Sequence, residues 1–549
     1  MNNSATFFDL KKLKGFADWK LLLLLLLFLN VKLAVKIPAI ALIYILQFDF
    51  KFGFSFKNSR LPLFYPFMIV IAVVNVFINK SYAAPNYLPV IAMGVFFWLL
   101  CILAIHQVKL AVEQNDVKSI HNTLLVFFII NIIISFFNLA VIVVETGTIN
   151  PYTYQGEYQK YFLSTGDYIK GLTLDTSTTN AIINAFGVLY FFIRRKPVML
   201  LLCMVVLLLT GSNFTNLVIL VILIYLFIFK SDKDQKSLLM VCGMFFVVFM
   251  AKISPQNDRY VIETFKKMAN VKSKRIKPDT LALPLTQRPD SVLNWEEKRQ
   301  KMAMLYLDSM RALKTTKPQA PPAKKAIFIT DAGQVYIPKP YLHVPLYQGS
   351  VATPVAQVPL LKFISTHKKE LPLATKTNPA FSKPGKVTGM MQTFNYLKQH
   401  PGKILTGSGA GNFSSKLAFR VSGIGVTGGY PARYIYINPD FEHNHLDLYL
   451  KFFSRRGDFH SLTNSPFSVY DQMLAEYGLL GLIALFTSYI WFFARHYKPL
   501  TYGIPIMVLM LMVFFIDYWF EQLSIIILFE LLLFLDIKEG QSREVDYAK

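Results

Sequence analysis

Long apolar blocks, repeated along the chain, are the feature that most restricts how this sequence can fold. Each block is about 15 to 25 residues long, which is the length an α-helix needs to cross a bilayer. Hydrophobic residues make up 54% of the 549 residues, and the mean hydropathy is +0.40. An ordinary soluble chain of this size is less apolar. We therefore expect an all-α integral membrane protein with about 12 transmembrane helices.

The short connections between the blocks differ in charge. One set carries nearly all of the Lys and Arg found in short loops, including Lys118 and residues 194–196. The positive-inside rule places this set in the cytoplasm, together with both termini. The lysines before the leucine run at 21–27 resemble a signal peptide, but no small-residue cleavage site follows them. We expect this first segment to be retained as a membrane helix.

Two long connections then face outward, at 145–178 and 254–477. Within the longer one, recurring prolines over 314–383 predict a variable insertion with a small hairpin formed by A-I-F-I-T and Q-V-Y-I-P. The site region, 386–477, opens with a helix that ends at Pro401. The chain thus divides into a bundle of about nine spans (1–253), a large periplasmic loop (254–477), and C-terminal membrane helices with a cytoplasmic tail (478–549).

A dense polar cluster precedes the tenth apolar block. Between Glu442 and Gly481 lie three of the nine histidines, a pair of arginines and several carboxylates. Ser465 as a cap, Pro466 as the first helical residue and Gly478 as the end predict an amphipathic helix there. Polar groups concentrated at the mouth of an apolar bundle indicate a site for chemistry.

Two short motifs in this region carry a family resemblance. G-S-G-A-G-N-F (407–413) follows a helix, and E-Y-G-L-L-G (476–481) opens the next span. Together with the helix count and one large late loop, they resemble the O-antigen ligase and O-antigen polymerase superfamily. The resemblance implies a GT-C-like helical bundle in the bacterial inner membrane. It also implies transfer of a glycan from undecaprenyl diphosphate to a glycan or lipid acceptor, without a cofactor.

One position departs from the ligase pattern. In ligases a histidine usually lies eleven residues before the first glycine of the G-x-x-G motif, and the corresponding residue here is Phe467. The departure favours a polymerase over a ligase. The nearest substitute is His460, seven residues upstream of Phe467.

Transfer from a lipid diphosphate needs a base for the acceptor hydroxyl and fixed cations for the diphosphate. Arginine suits the second task because its planar fork donates two parallel hydrogen bonds and keeps its charge. Loop histidines and arginines can equally be solvated surface groups. The candidate bases are His460, His443 and His445, with Asp458 and Glu442 as carboxylate alternatives. The candidate diphosphate ligands are Arg455, Arg456, Arg433 and Arg420.

Other polar groups allow more than one interpretation. Tyr154 and Tyr158 can stack on sugars and Asp167 can accept sugar hydroxyls, although tyrosine is also common at membrane interfaces. H-x-H-x-D at 443–447 would put three ligands on one face of a strand, but no matching distant set is evident, so we expect no metal. The glycines at 407–411 lack dinucleotide-binding spacing and form either a structural turn or a phosphate-binding turn.

Two other classes of function stay open. A net charge of +24 indicates contact with anionic membrane lipids or a phosphate-bearing lipid rather than nucleic acid. A transporter or flippase of the same lipid would need charge pairs buried within the spans. Acids such as Glu530, deep within a span, are functional candidates by default, whereas Glu521 can sit at the outer interface. A non-catalytic surface-assembly protein would bind a partner through residues 314–383.

Overall fold

Helices account for nearly all of the chain that the structure describes. The computed structural model describes residues 16–30, 37–38, 41–42, 44–45, 61–153, 169–174, 176–254, 328–329, 335–336, 384–422, 434–446, 448 and 465–548. The helices are α1 (Trp19–Asn30), α2 (Phe64–Ile78), α3 (Tyr87–Gln114), α4 (Val117–Thr146), α5 (Ser177–Ile193), α6 (Pro197–Leu209), α7 (Asn213–Phe229), α8 (Lys233–Val248), α9 (Gly385–Gln399), α10 (Lys416–Val421), α11 (Pro439–Asn444), α12 (Val469–Ala484), α13 (Gly503–Val513), α14 (Trp519–Gln522) and α15 (Ser524–Ala548). The prediction of a mainly helical chain is confirmed for these residues.

Four of these helices are long and apolar enough to cross a membrane: α3, α4, α8 with its continuation to Ile253, and α12 with its continuation to Ala494. Shorter apolar helices, among them α1, α2, α5, α6, α7 and α13, pack around them. Their outward faces are apolar as well, with Phe77 67% and Ile133 61% exposed. Large exposed apolar surface suits lipid rather than water. These helices indicate a membrane protein.

At one end of the bundle, which we call the basic end, distant segments of the chain contact the α3–α4 turn. Asn115 in this turn donates to Asp18 Oδ2 (2.7 Å), just before α1, and its carbonyl accepts from Lys538 Nζ (2.6 Å) in α15. Arg194, after α5, pairs with Glu539 at 3.4 Å. Further contacts at this end are Arg195–Asp232 and Thr501–Asp536. The start of the first described helix and the last turns of α15 therefore lie at the same end.

The opposite end, which we call the loop end, is covered by residues 404–415. Asn79, directly after α2, donates to the carbonyl of Gly407 (3.2 Å). The Tyr87 hydroxyl, at the start of α3, donates to the carbonyl of Ala410 (3.1 Å). Part of the long loop is thus fixed to the rim of the helical bundle by hydrogen bonds.

Two smaller predictions about the long loop are confirmed. Phe328–Ile329 and Val335–Tyr336 form two short antiparallel strands, β1 and β2, with Phe328 opposite Tyr336. They are the hairpin predicted from A-I-F-I-T and Q-V-Y-I-P. The helix predicted before Pro401 is α9, which ends at Gln399.

The predicted start of the next helix is wrong. α12 begins at Val469 rather than at Pro466. The Val469 amide donates to the carbonyl of Phe514 (2.9 Å), and the carbonyl of Phe467 accepts from Lys386 Nζ (2.6 Å). These long-range bonds hold the preceding residues in an extended path, so the local helix-start signal at proline is overridden.

Candidate functional site

The two sequence motifs meet at the loop end of the bundle. Residues 404–415 and 475–480 are joined by a hydrogen bond from the Gly409 amide to the carbonyl of Glu476 (3.0 Å) and by three more backbone bonds of 2.8 to 3.0 Å. We call this contact the interlock. The helix breaks at Gly478 (φ 67°, ψ −163°) and resumes at once, so the predicted break there is confirmed. The break exposes backbone groups of α12 to the loop.

Glycine is required on both sides of the interlock. Gly407 (φ 79°) and Gly478 (φ 67°) both adopt the left-handed region. A Cβ on Gly407 would lie 2.4 Å from the carbonyl carbon of Glu476, and one on Gly478 would lie 2.5 Å from the Gly407 nitrogen. No side chain fits between two backbones this close. One glycine of each motif, Gly407 and Gly478, therefore serves the same contact.

The carboxylate of Glu476 is enclosed by the glycine-rich loop. It is fully buried and accepts hydrogen bonds from the amides of Gly411 (2.8 Å), Phe413 (3.0 Å), Ser414 (3.0 Å) and Ser415 (2.9 Å). A carboxylate that is taken out of water needs such compensation, because an unpaired buried charge is very costly. We call these four amides the amide cradle.

The amide cradle bears on the two interpretations of the glycine-rich turn. Successive backbone N–H groups in such a turn can bind phosphate. Here the anion that they bind is the protein's own Glu476 carboxylate. The described turn is therefore a structural one, and a diphosphate would have to bind elsewhere.

A buried histidine lies under this turn. His445, at the end of α11, has no exposed surface, and its Nε2 lies 3.1 Å from Asp471 Oδ2. Thr393 of α9 donates to the other carboxylate oxygen of Asp471 (2.6 Å). The Phe413 ring packs 4.8 Å from the imidazole. This cluster joins α9, α11 and α12 to the glycine-rich loop.

Beside the cradle, α10 carries two cations. Ser415 caps this helix by accepting from the Ala418 amide (3.0 Å). Lys416 and Arg420 are four residues apart and so share a face of α10. Both are partly exposed, as a charged group that contacts a ligand must be.

A carboxyl group lies next to these cations. Glu521, in α14 between two apolar helices, accepts a hydrogen bond from Gln472 Nε2. Arg420, Lys416 and the Glu476 carboxyl all lie close enough to interact electrostatically with this group.

A buried amine fixes α9 to the bundle. Lys386 Nζ donates to Ser465 Oγ (3.0 Å), to the carbonyl of Phe467 (2.6 Å) and to that of Ile516 (2.8 Å). Burial lowers the pKa of this amine to about 7, although Asp517 and Asp471 raise it. Ser465, predicted to cap a helix, instead accepts from this lysine.

The structure describes three of the predicted site residues. Arg420 lies in α10, His443 lies in α11, and His445 follows α11 directly. Because this segment is helical up to Asn444, the alternation of H-x-H does not place ligands on one face of a strand. The other predicted residues lie outside the described part of the chain: His460, Arg455, Arg456, Arg433, Tyr154, Tyr158 and Asp167.

Sequence reasoning missed the residues that hold this region together. Neither Asp471 nor Lys386 is among the predicted site residues, and Glu476 is predicted only as part of the E-Y-G-L-L-G motif. The sequence does contain a signal for Asp471 and Glu476, because acids in an apolar helix at the start of a span require buried partners. Nothing local marks Lys386, because its three acceptors are distant in sequence.

Comparison with known proteins adds no relative. No family model, no curated protein and no solved structure matches the chain. What the site does is therefore argued from its own residues.

Proposed function

We propose that the protein is a membrane glycosyltransferase of the O-antigen polymerase or ligase type. Its donor is a saccharide linked to a polyprenyl diphosphate, its acceptor is a glycan or a lipid, and no metal or cofactor takes part. Phe467 at the ligase histidine position favours the polymerase.

The observation that carries this proposal is the placement of α10. Its cations, Lys416 and Arg420, lie at the rim of an apolar bundle, beside helices that are suited to lipid. The amide cradle and the Ser415 cap fix the start of this helix. A prenyl-anchored diphosphate has its charge at the membrane surface and its chain in the apolar layer, so it would meet both features together.

The reaction requires only a base and groups that stabilise the leaving diphosphate. The acceptor oxygen attacks the anomeric carbon of the donor sugar, and the bond from this carbon to the diphosphate oxygen breaks. The electron pair leaves with the diphosphate, whose growing charge is stabilised by Arg420 and, in this proposal, by Arg433, Arg455 and Arg456. The acceptor proton passes to a base.

Burial bears on which histidine acts as that base. His445 is fully enclosed and already lies 3.1 Å from Asp471. An imidazole in this position cannot contact an acceptor hydroxyl. We therefore assign His445 to positioning the loop, and we keep His460 as the proposed base, with His443, Asp458 and Glu442 as alternatives.

The course of the helices supports twelve crossings. Both α1 and α2 run from the basic end to the loop end, because Asp18 contacts Asn115 and Asn79 contacts Gly407. We propose that the chain returns once to the basic end between these two helices. Residue 44 lies within that return, and its Tyr44 hydroxyl donates to the carbonyl of Leu103 (2.9 Å), in the middle of α3. The ten apolar helices of the described chain, together with α15 and this return, make twelve.

The proposed orientation puts the basic end, with both termini, in the cytoplasm of a bacterium and the long loop in the periplasm. The three native cysteines are buried, so a single introduced cysteine can report its side. A membrane-impermeant maleimide should label Val387→Cys in intact spheroplasts but label Lys498→Cys only after lysis. The reverse pattern would refute the orientation.

The decisive experiment is glycosyl transfer by the full-length protein in proteoliposomes. The donor would be a polyprenyl-diphosphate-linked repeat unit taken from the host strain. Arg420→Ala should lower transfer by about a hundredfold, the usual effect of losing one charge-stabilising group. Arg495→Ala, an arginine at the basic end, should leave transfer unchanged. Equal activity of Arg420→Ala and the wild-type protein would refute the role of α10.

The same vesicles test the flippase alternative. A transporter would move the lipid-linked saccharide across the bilayer without forming a glycosidic bond. Within the described helices, the buried carboxyl of Glu530 accepts a hydrogen bond from the Tyr65 hydroxyl rather than pairing with a cation. This arrangement gives the alternative little support. Movement of the lipid without any transfer product would nevertheless establish it.

The glycan of a deletion strain separates the two enzyme types. Single repeat units capped on the lipid core indicate a missing polymerase. Long chains that stay on the carrier indicate a missing ligase. We expect the first pattern.

A further inference from the structure

A cavity opens at the loop end of the bundle beside the interlock. It lies between the α2–α3 turn (79–86) and residues 435–439, and its volume is about 450 Å³. Cavities of this size accommodate small molecules rather than single waters or ions. The described residues that line it include none of those proposed above as catalytic or diphosphate-binding.

The described residues that line the cavity include several polar ones but no carboxylate. Asn79, Asn86 and Asn438 supply amides, Ser81 and Tyr436 supply hydroxyls, and Lys80 supplies an amine. Amides and hydroxyls both donate and accept hydrogen bonds, which matches the hydroxyl groups of a sugar. The ring of Tyr436 and two prolines add apolar surface of the kind on which a sugar ring can lie.

The backbone of the turn is held in an unfavourable conformation. Lys80 (φ 52°) and Asn86 (φ 62°), at its two ends, are both left-handed although neither is glycine. Strain of this kind persists where surrounding contacts impose it, and it is concentrated at ligand sites. The Asn86 side chain donates to the carbonyl of Ile435 (3.1 Å) and so joins the two walls.

The cavity is bonded directly to the glycine-rich loop. Asn79 donates to the carbonyl of Gly407 (3.2 Å), and the Tyr436 hydroxyl donates to Asn412 Oδ1 (2.9 Å). Asn438 in turn donates to the Tyr436 hydroxyl (3.0 Å). A ligand in the cavity would therefore lie beside the loop whose amides hold Glu476.

We infer that this cavity is a saccharide subsite that binds one sugar unit of a glycan substrate. The groups that bind it are the side-chain amides of the α2–α3 turn, Tyr436 and Lys80. The inference rests on the proposed function for the identity of that glycan, which is either the donor or the acceptor. Sugar binding itself needs no transfer reaction and can be measured separately.

The test uses the full-length protein in detergent micelles and saturation-transfer NMR. The probes are methyl glycosides of glucose, galactose, mannose and N-acetylglucosamine. Ala84 lines the cavity, whereas Ala83, its neighbour in the same turn, does not. Ala84→Trp should weaken binding at least tenfold by filling the space. Ala83→Trp is the matched control and should bind as the wild-type protein does.

A second variant leaves the space open. Lys80→Gly keeps the left-handed backbone without strain and removes the amine. It should weaken binding by about two- to tenfold, the effect of one lost hydrogen bond. Binding by Ala84→Trp equal to that of the wild-type protein would overturn the inference. Failure of every methyl glycoside to bind the wild-type protein would also overturn it.

The outcomes separate this inference from the proposed function. Sugar binding that depends on Ala84, in a protein without transfer activity, would retain the subsite and refute the enzyme. If the protein transfers glycan but Ala84→Trp binds sugar as the wild-type protein does, the enzyme is retained and the subsite is refuted. In an active protein, a raised KM for the donor alone would assign the subsite to the donor, and a raised KM for the acceptor alone would assign it to the acceptor.

Discussion

Removing the Glu476 carboxylate should release the glycine-rich loop. In Glu476→Ala the four amides of the cradle, from Gly411 to Ser415, lose their acceptor while they stay buried. An unsatisfied buried donor costs about 1 to 3 kcal/mol, so the four together cost roughly 4 to 12 kcal/mol. Global stability is commonly about 5 to 15 kcal/mol. We therefore expect the loop to unfold locally before the bundle does.

Glu476→Gln should be milder, because its oxygen can still serve the three amides that contact Oε1. Its NH₂ group would face the amide of Gly411, so one charge-assisted bond of about 1.5 to 3 kcal/mol is lost. Hydrogen–deuterium exchange at residues 411–415 measures both effects. Glu113→Ala, which removes a surface carboxylate, is the charge-matched control and should leave protection unchanged. Wild-type protection in Glu476→Ala would refute the role of the cradle.

Two further predictions concern the same region. Gly407→Ala should lower the melting temperature of the purified protein, because Gly407 has a φ of 79° and the added methyl would lie 2.4 Å from a backbone carbon. Gly402→Ala is the control, since its methyl would meet nothing within 4 Å and should leave the melting temperature unchanged. Equal melting temperatures for the two variants would contradict the steric argument. For Lys386, the folded pKa of about 7 lies below the ordinary value of 10.5, so between these values the unfolded chain binds more protons and stability must rise with pH. Relative to Lys386→Met, the wild-type protein should gain up to about 1.4 kcal/mol per pH unit from pH 7 to 9 in chemical unfolding; a flat or falling difference would show that the amine is not buried as described.

The sequence predicts the elements better than their contacts. Long apolar blocks predict membrane helices because a bilayer imposes their length and composition. The break at Gly478 and the end of α9 before Pro401 are also local signals, and both were found. The start of α12 was missed, because the hydrogen bond from Val469 to Phe514 is invisible to any local pattern.

The candidate site shows the same division. Its motifs were recognised, but the reason that they occur together was not. Glu476 and the amide of Gly411 are 65 residues apart in the chain, and only the fold brings them within 2.8 Å. The sequence predicts His445, like His443, to be a loop residue and a candidate base, whereas the fold encloses it beside Asp471. A histidine can be recognised in the sequence, but whether it is buried depends on how the whole chain folds.

The amide cradle has a consequence for biogenesis. The ribosome makes residues 411–415 before Glu476, so in a nascent chain these four amides bond to water until α12 emerges. The carboxylate, for its part, cannot be buried at the bundle rim until those donors reach it. The glycine-rich loop can therefore reach its folded form only after residue 476 has been synthesised.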